Sequence, residues 1–410
     1  MATVVLGVGG GIAVYKSCYL VRRLKEAGHR VHVIPTRSAL EFVGCPTWEA
    51  LSGEQVHTGV FDDVPGVEHV RLAEQADLVV VAPATADLVA RIAAGRGDDL
   101  LTTTILATRA PVLVAPAMHT GMWENPATVD NVATLRRRGL IVKDPASGRL
   151  TGPDSGPGRF PEPDELADLA ALLLDDPAAG SAMAVQDLAG RRVVISAGGT
   201  REALDPVRYL GNSSSGRMGA ALAADADARG ADVTLVAAHL EVPVPSCVRE
   251  VRVSSTEDLE AAMRREAAEA DIVIMAAAAA DFAPESVSDL KIKKHEGRSR
   301  VGDRMSLDLV QTPDVLAGLV AGRHRDQVIV GFAAETAPDR DELLALARAK
   351  LERKGCDLLA VNDVSSGRVF GKVDTDVTVI RQQGSGRRVR GSKMMAAHAI
   401  LAEACSLLAP

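Results

Sequence analysis

The stretch ATVVLGVGGGIAVYKSCYLVRRLKEAG, residues 2–28, decides the fold. Its first seven residues are an apolar run of strand type that ends in Gly9, Gly10 and Gly11. A helical pattern follows at once, with Leu20, Val21 and Leu24 on one face. A strand that runs through a glycine turn into a helix is the opening unit of a doubly wound α/β domain. HRVHVIPT (29–36), ADLVVVAPAT (76–85) and PVLVAPAM (111–118) predict three further strands with helices between them. The first half therefore alternates β and α about a parallel sheet, with ligands expected at the carboxyl ends of its strands.

The pattern lapses at DDPAAGSAMAVQDLAG, residues 175–190, where Pro, Gly and Ser accumulate. This places a first domain at 1–175, a linker at 176–190 and a second domain at 191–410. RRVVISAGGT (191–200) restarts the strand-to-glycine-turn grammar, with a long helix from about Met218. Five strands follow: ADVTLVAA, DIVIMAAA, QVIVGFAA, CDLLAVND and DVTVI. The fold class expected is α/β, with two Rossmann-like domains, each on a parallel sheet.

A chain of 410 residues suits two or three domains, and 47% apolar with 24% charged residues is the composition of an ordinary folded protein. A net charge of -8, with 6 Phe, 3 Tyr and 2 Trp, argues against a dedicated nucleic-acid binder. Cys18, Cys45, Cys247, Cys356 and Cys405 are scattered without a CxxC pair, which points to a reducing cytoplasm. No basic segment precedes the first strand, and the longest apolar run, Ile272 to Ala280, is far short of the roughly 18 to 20 residues that span a bilayer. No export signal and no membrane segment are expected.

A glycine turn entering a helix offers free N–H groups and a positive helix end to an anion, so phosphate is the default ligand at both turns. The dinucleotide fingerprint fails at the first, because Ile12 stands where its last glycine belongs and Thr36 ends the second strand in place of an acidic ribose partner. The strand ADVTLVAA also ends without Asp or Glu, which disfavours an NAD-dependent dehydrogenase.

GGGIAVYK (9–16), PATADL (83–88) and PAMHTGMW (116–123), in that order, make the first half resemble the flavin-dependent cysteine decarboxylases. AGGTREALDPVRYLGNSSSGRMG (197–219), AAAAADF (276–282), KIKK (291–294), TPDVL (312–316) and GFAAET (331–336) make the second half resemble phosphopantothenate-cysteine ligase. Together they follow the order of the bacterial bifunctional enzymes of coenzyme A biosynthesis. The resemblance implies a flavodoxin-like FMN domain that decarboxylates phosphopantothenoylcysteine, and a ligase domain that joins 4'-phosphopantothenate to cysteine at the expense of CTP, with Mg2+ carried mainly on the CTP phosphates. It also implies a homo-oligomer, a dodecamer built from trimers of the flavin domain and dimers of the ligase domain.

Carried over by position, the flavin candidates are Gly10, Gly11, Ile12, Thr36, Ser38, Ala84, Thr85 and Asp87. For Thr36, Ser38 and Thr85 the plainer role is helix capping. His69, in PGVEHVRLAEQADLVVV, matches the catalytic histidine, a residue that exchanges protons near neutral pH. Two departures stand out. His119 replaces the asparagine of the family's PxMNxxMW motif, and the flap GRLTGPDSGPGR (148–159) has Thr151 where the family carries a proton-donating cysteine. These departures would suit a regulatory or impaired flavin domain fused to an active ligase; His69 argues for turnover.

In the second half, Met275, Ala276, Ala277, Asp281, Lys291, Pro313, Asp314, Val315, Leu316, Phe332, Lys350 and Lys354 match the family's CTP residues. Lys350 and Lys354 are four apart and share one helix face, which suits a triphosphate. Asn212 matches the asparagine that acts when cysteine attacks the acyl-cytidylate, an uncharged amide suited to an oxyanion. Ser214, Ser215, Gly216 and Arg217 are the candidates for the substrate phosphate.

Overall fold

The computed structural model describes residues 1–60, 67–150, 154–293, 305–324, 326–363, 374–382 and 386–408. The chain divides into two compact units, Met1–Ala189 with Ala228–Gly230, and Gly190–Asp227 with Ala231–Pro410.

The first unit carries β1 (Thr3–Val8), β2 (Arg30–Pro35), β3 (Leu78–Ala84), β4 (Val112–Pro116), β5 (Ile141–Val142), β6 (Ala146–Arg149) and β7 (Ser155–Arg159). The first five form one parallel sheet in the order β2-β1-β3-β4-β5, and β6 pairs with β7 as an antiparallel hairpin. Val4, Val5, Leu6 and Val8 are fully buried, as are Leu78 to Val81 of β3, because helices cover both faces of a parallel sheet. Leu20, Val21 and Leu24 turn inward from the helix Val14–Glu26, as their spacing requires. The stretch read as linker holds the helix Ala179–Val185. Its Ala179, Met183 and Ala184 are buried against β5 and the helices Pro126–Arg137 and Pro163–Asp175, so small apolar residues outweigh the Pro and Gly that suggested a break.

The second unit carries β8 (Arg192–Gly198), β9 (Arg201–Ala203), β10 (Tyr209–Gly211), β11 (Asp232–Ala238), β12 (Arg249–Val253), β13 (Ile272–Met275), β14 (Phe282–Pro284), β15 (Leu309–Gln311), β16 (Val328–Glu335), β17 (Leu358–Asp363), β18 (Asp374–Arg381) and β19 (Arg387–Ser392). Eight of them form one sheet in the order β12-β11-β8-β13-β16-β17-β18-β19. The six from β12 to β17 run parallel. The expected parallel sheet is thus present, with β18 and β19 as antiparallel additions at one edge. Parallel neighbours need a crossover of a dozen or more residues, and the short β18–β19 connection permits only a hairpin.

Candidate active sites

In the first unit the three glycines bring the ends of three strands together. A Cβ on Gly9 would lie 2.6 Å from the Pro83 carbonyl oxygen, and one on Gly10 would lie 2.3 Å from Ser38 Cβ. Gly11 faces Thr85 with ordinary contact. Gly9 donates its N–H to Pro83 O at 2.9 Å, while Gly10, Gly11 and Ile12 donate no backbone hydrogen bond among the described residues. The helix Val14–Glu26 starts at Ala13 without a side-chain cap. Unspent N–H groups at a helix entrance are what a phosphate needs, and the turn fits that group. Thr36 accepts from Ala39 N–H and Thr85 from Leu88 N–H, each at 3.3 Å, so both hydroxyls are engaged as helix caps. Asp87 is exposed and pairs with Arg91 at 3.2 Å, and Ile12 is 68% exposed.

His69 sits in the first turn of the helix Glu68–Gln75, which packs on the helix Leu100–Ala107. Its Nδ1 is buried and has no hydrogen-bond partner among the described residues. The preceding Glu68 is fully buried and accepts from Arg71 at 2.6 and 3.2 Å, with His57 Nε2 3.5 Å away. That carboxylate fixes the helix turn on which His69 rides, and only its adjacency to His69 marked it in the sequence.

His119 caps the short helix Thr120–Trp123: its Nδ1 accepts from Gly121 N–H at 3.1 Å. An accepting Nδ1 puts the proton of the neutral ring on Nε2, which lies 3.5 Å from Asp154 Oδ2. Histidine thus performs the capping task open to asparagine and keeps one N–H donor outward. The hairpin β6–β7 docks on this segment, where Met118 N–H donates to Gly158 O at 3.0 Å. Thr151 lies outside the described residues.

In the second unit a cavity of about 500 Å³ gathers motifs far apart in the chain. Asn212, Ser214, Ser215, Gly216 and Arg217 line one side, and Met275, Ala276, Ala277 and Asp281 another. Pro313, Asp314, Val315, Leu316, Phe332, Lys350 and Lys354 complete it. The volume is in the ordinary range for a small-molecule site. Lys350 Nζ donates to Glu335 at 2.7 Å, and Lys354 pairs with Asp314, so each cation is held in place by a carboxylate. Burial pushes the Asp314 carboxyl up, but the hydrogen bonds from Lys354 and from Ala317 N–H outweigh it and hold the group below the usual carboxylate range.

Asn212 Nδ2 donates to Ala279 O at 2.8 Å, which spends one of its two amide hydrogens and leaves the other for the cavity. The alanine run itself is pinned by hydroxyls. Ala277 N–H donates to Ser196 Oγ at 3.0 Å, Ala280 N–H to Thr200 Oγ1 at 2.9 Å, and Thr312 Oγ1 donates to Ala280 O at 2.5 Å. Thr256, bound to the buried Glu202 at 2.8 Å, supports Thr200 from behind.

Comparison with known proteins bears on both sites. The family described as flavoprotein matches residues 1–174, and the family described as DNA/pantothenate metabolism flavoprotein C-terminal domain matches residues 188–407. The coenzyme A biosynthesis bifunctional protein CoaBC of Mycobacterium tuberculosis is 54% identical over 413 residues, covering 99% of this chain and 97% of the relative. The chain belongs to the CoaBC family. It is a bifunctional enzyme of coenzyme A biosynthesis, with a flavoprotein decarboxylase half and a ligase half. The CoaBC of Vibrio cholerae is 44% identical over 403 residues, covering 97% of this chain and 96% of the relative. Among solved structures, a C-terminal domain of CoaBC aligns at TM-score 0.44 and 31% identity over 54% of this chain and 97% of its own. The FMN binding protein AtHal3 aligns at TM-score 0.39 and 31% identity over 42% of this chain and 97% of its own.

Set against that family, one expected nucleotide residue stands apart. Lys291 is exposed and does not line the cavity; its neighbour Ile292 is tied by its N–H to Asp205 at 3.1 Å. The charged run KIKK is therefore a surface segment as far as Lys293, and Lys294 lies outside the described residues. The cavity also includes Asn362, Thr375 and Lys393, which belong to no glycine turn or charge cluster and left no signal in the sequence.

Proposed function

We propose that the second unit joins 4'-phosphopantothenate to cysteine through an acyl-cytidylate, with release of pyrophosphate from CTP, and that the first unit decarboxylates the product to 4'-phosphopantetheine. The observation that carries the reading is the cavity, which brings Asn212, the serine-rich turn, Asp281, Lys350 and Lys354 to one volume.

For the ligase, Lys350 and Lys354 supply positive charge where attack on an α-phosphate builds negative charge. Mg2+ would arrive mainly on the CTP phosphates. The spare amide hydrogen of Asn212 stabilises the oxyanion when the cysteine amine attacks. The alanine run, fixed by Ser196, Thr200 and Thr312, presents backbone groups for the nucleotide without a side chain in the way.

For the decarboxylase, the flavin is FMN, whose phosphate the N–H groups of Gly10, Gly11 and Ile12 would hold. Bound FMN supplies the oxidation of the cysteinyl side chain that makes carboxylate loss easy, and the later reduction. His69, with Nδ1 buried, exchanges protons through Nε2. His119 Nε2–H donates to the substrate carboxylate from beneath the hairpin. The family resemblance supports a homo-oligomer, and the scattered cysteines support a place in the cytoplasm.

The test is to extract the flavin and identify it by mass, and to follow CMP and pyrophosphate with phosphopantothenate and cysteine present. Absence of FMN from protein that cannot be reconstituted would overturn the first half; ATP accepted in preference to CTP would overturn the nucleotide assignment.

A further inference from the structure

We propose that Thr375 and Lys393 form a phosphate subsite at the antiparallel end of the ligase cavity, a site that takes a phosphate group of one of the two phosphorylated substrates. The inference rests on the ligase reading above.

Both residues line the cavity, although they lie outside all the motifs that define it. Their juxtaposition follows from the hairpin added to the parallel sheet. The β18–β19 register sets Thr375 opposite Gly391, two residues before Lys393. Lys393 is the first residue of the helix Lys393–Cys405, whose cap is Ser392, accepting from Met395 N–H at 3.2 Å. A helix of 13 residues presents a positive end there, with a cation at its first position.

The second observation concerns Thr375 itself. The residue is only 6% exposed, and its Oγ1 is buried without any hydrogen-bond partner among the described residues. A buried hydroxyl left unpaired is costly, and the cost is recovered when a ligand completes it. A hydroxyl can donate to a phosphate oxygen, and an ammonium beside it makes the same oxygen a favoured partner. Asn362 Oδ1 is also buried and unpartnered at this wall. It presents an acceptor, which a phosphate cannot use, and so stands outside the subsite.

Charge along the cavity supports the placement. Lys350, Lys354 and Lys393 all line this cavity, and a ligand with several phosphate charges gains from an ammonium at a helix start as well as from the two on the helix Arg340–Lys354. The hairpin wall would then help to choose phosphorylated over unphosphorylated ligands.

The experiment uses the full chain and isothermal titration with three probes: CTP with Mg2+, 4'-phosphopantothenate and inorganic pyrophosphate. Thr375→Val and Lys393→Met should each weaken CTP or 4'-phosphopantothenate by about tenfold or more, the usual loss for a hydrogen bond to a charged group. Thr375→Ser, which keeps the hydroxyl, should bind within about twofold of wild type. The substrate that is weakened names the source of the phosphate; weakening of pyrophosphate together with CTP places the site on the polyphosphate. Retention of wild-type affinity for both substrates by Lys393→Met and Thr375→Val overturns the subsite, and if Thr375→Val fails to fold, Lys393→Met decides alone. Wild-type protein that binds none of the three overturns the ligase reading along with it.

Discussion

Met118 and Gly158 touch backbone to backbone: Met118 N–H donates to Gly158 O at 3.0 Å, and a Cβ on Gly158 would lie 2.2 Å from Met118 O. Gly158 also has φ +144°, a conformation that side chains rarely adopt. This contact holds the β6–β7 hairpin against the segment of His119, so two motifs 40 residues apart in the chain become one wall. Gly158→Ala should detach the hairpin and lower decarboxylation by on the order of 100-fold, the scale of a small misplacement of reacting groups. Ligation, assayed as pyrophosphate release in the same preparation, should stay unchanged, and an equal fall in both activities would show that the hairpin is not specific to the first site.

His69→Asn should retain flavin, because the phosphate-type turn at Gly10 and Gly11 shares no hydrogen bond with His69. Release of CO2 from phosphopantothenoylcysteine should fall by about 100-fold or more, the range of general acid–base assistance. Unchanged turnover would remove His69 from the chemistry.

Asn212→Asp removes the donor to Ala279 O and sets a carboxylate against a carbonyl. Cysteine capture should slow by about 100- to 1000-fold, as when an oxyanion donor is lost. Pyrophosphate release in a first turnover should persist, since Lys350 and Lys354 come from the helix Arg340–Lys354 and not from the loop of Asn212. Rapid quench with mass detection should find the acyl-cytidylate accumulating; its absence, with pyrophosphate release lost as well, would merge the two steps.

The α/β grammar was legible because glycine turns and buried strand runs are local signals, and the spacing of Lys350 and Lys354 placed them on one helix face, where both line the cavity. Other features were hidden because they depend on tertiary contact. Glu68 looks like any exposed glutamate until Arg71 and His57 close on it. Thr375 is an ordinary strand residue until β19 pairs beside it. Which way Lys291 faces was not legible either, because a charged run next to matched motifs carries no sign of its orientation; in the structure it is exposed and outside the cavity lining. The helix Ala179–Val185 was missed because its small residues have weak periodicity and pack only through neighbours.

Asp99 caps the helix Leu100–Ala107 on which the His69 helix packs, with Thr102 N–H at 2.8 Å and Arg91 at 2.8 Å. Burial pushes its carboxyl up, and the Thr102 and Arg91 hydrogen bonds outweigh that and hold it below the usual range. A folded-state value below the unfolded one means stability that is complete above the unfolded pKa of about 3.9 and is lost as pH falls through the folded value. Asp99→Ala should cost about 1 kcal/mol near neutral pH, mainly through the lost cap. The difference in denaturant midpoint between wild type and variant should narrow below about pH 4. A gap that widens on acidification would contradict the assignment.

The most direct test of the whole account is a one-pot reaction. Purified, FMN-loaded protein receives 4'-phosphopantothenate, cysteine, CTP and Mg2+, and the products are identified by mass over time. The account predicts CMP, pyrophosphate and 4'-phosphopantetheine, with phosphopantothenoylcysteine rising and then falling. Phosphopantothenoylcysteine that accumulates without loss of CO2 would contradict it, leaving an active ligase joined to a flavin domain without turnover.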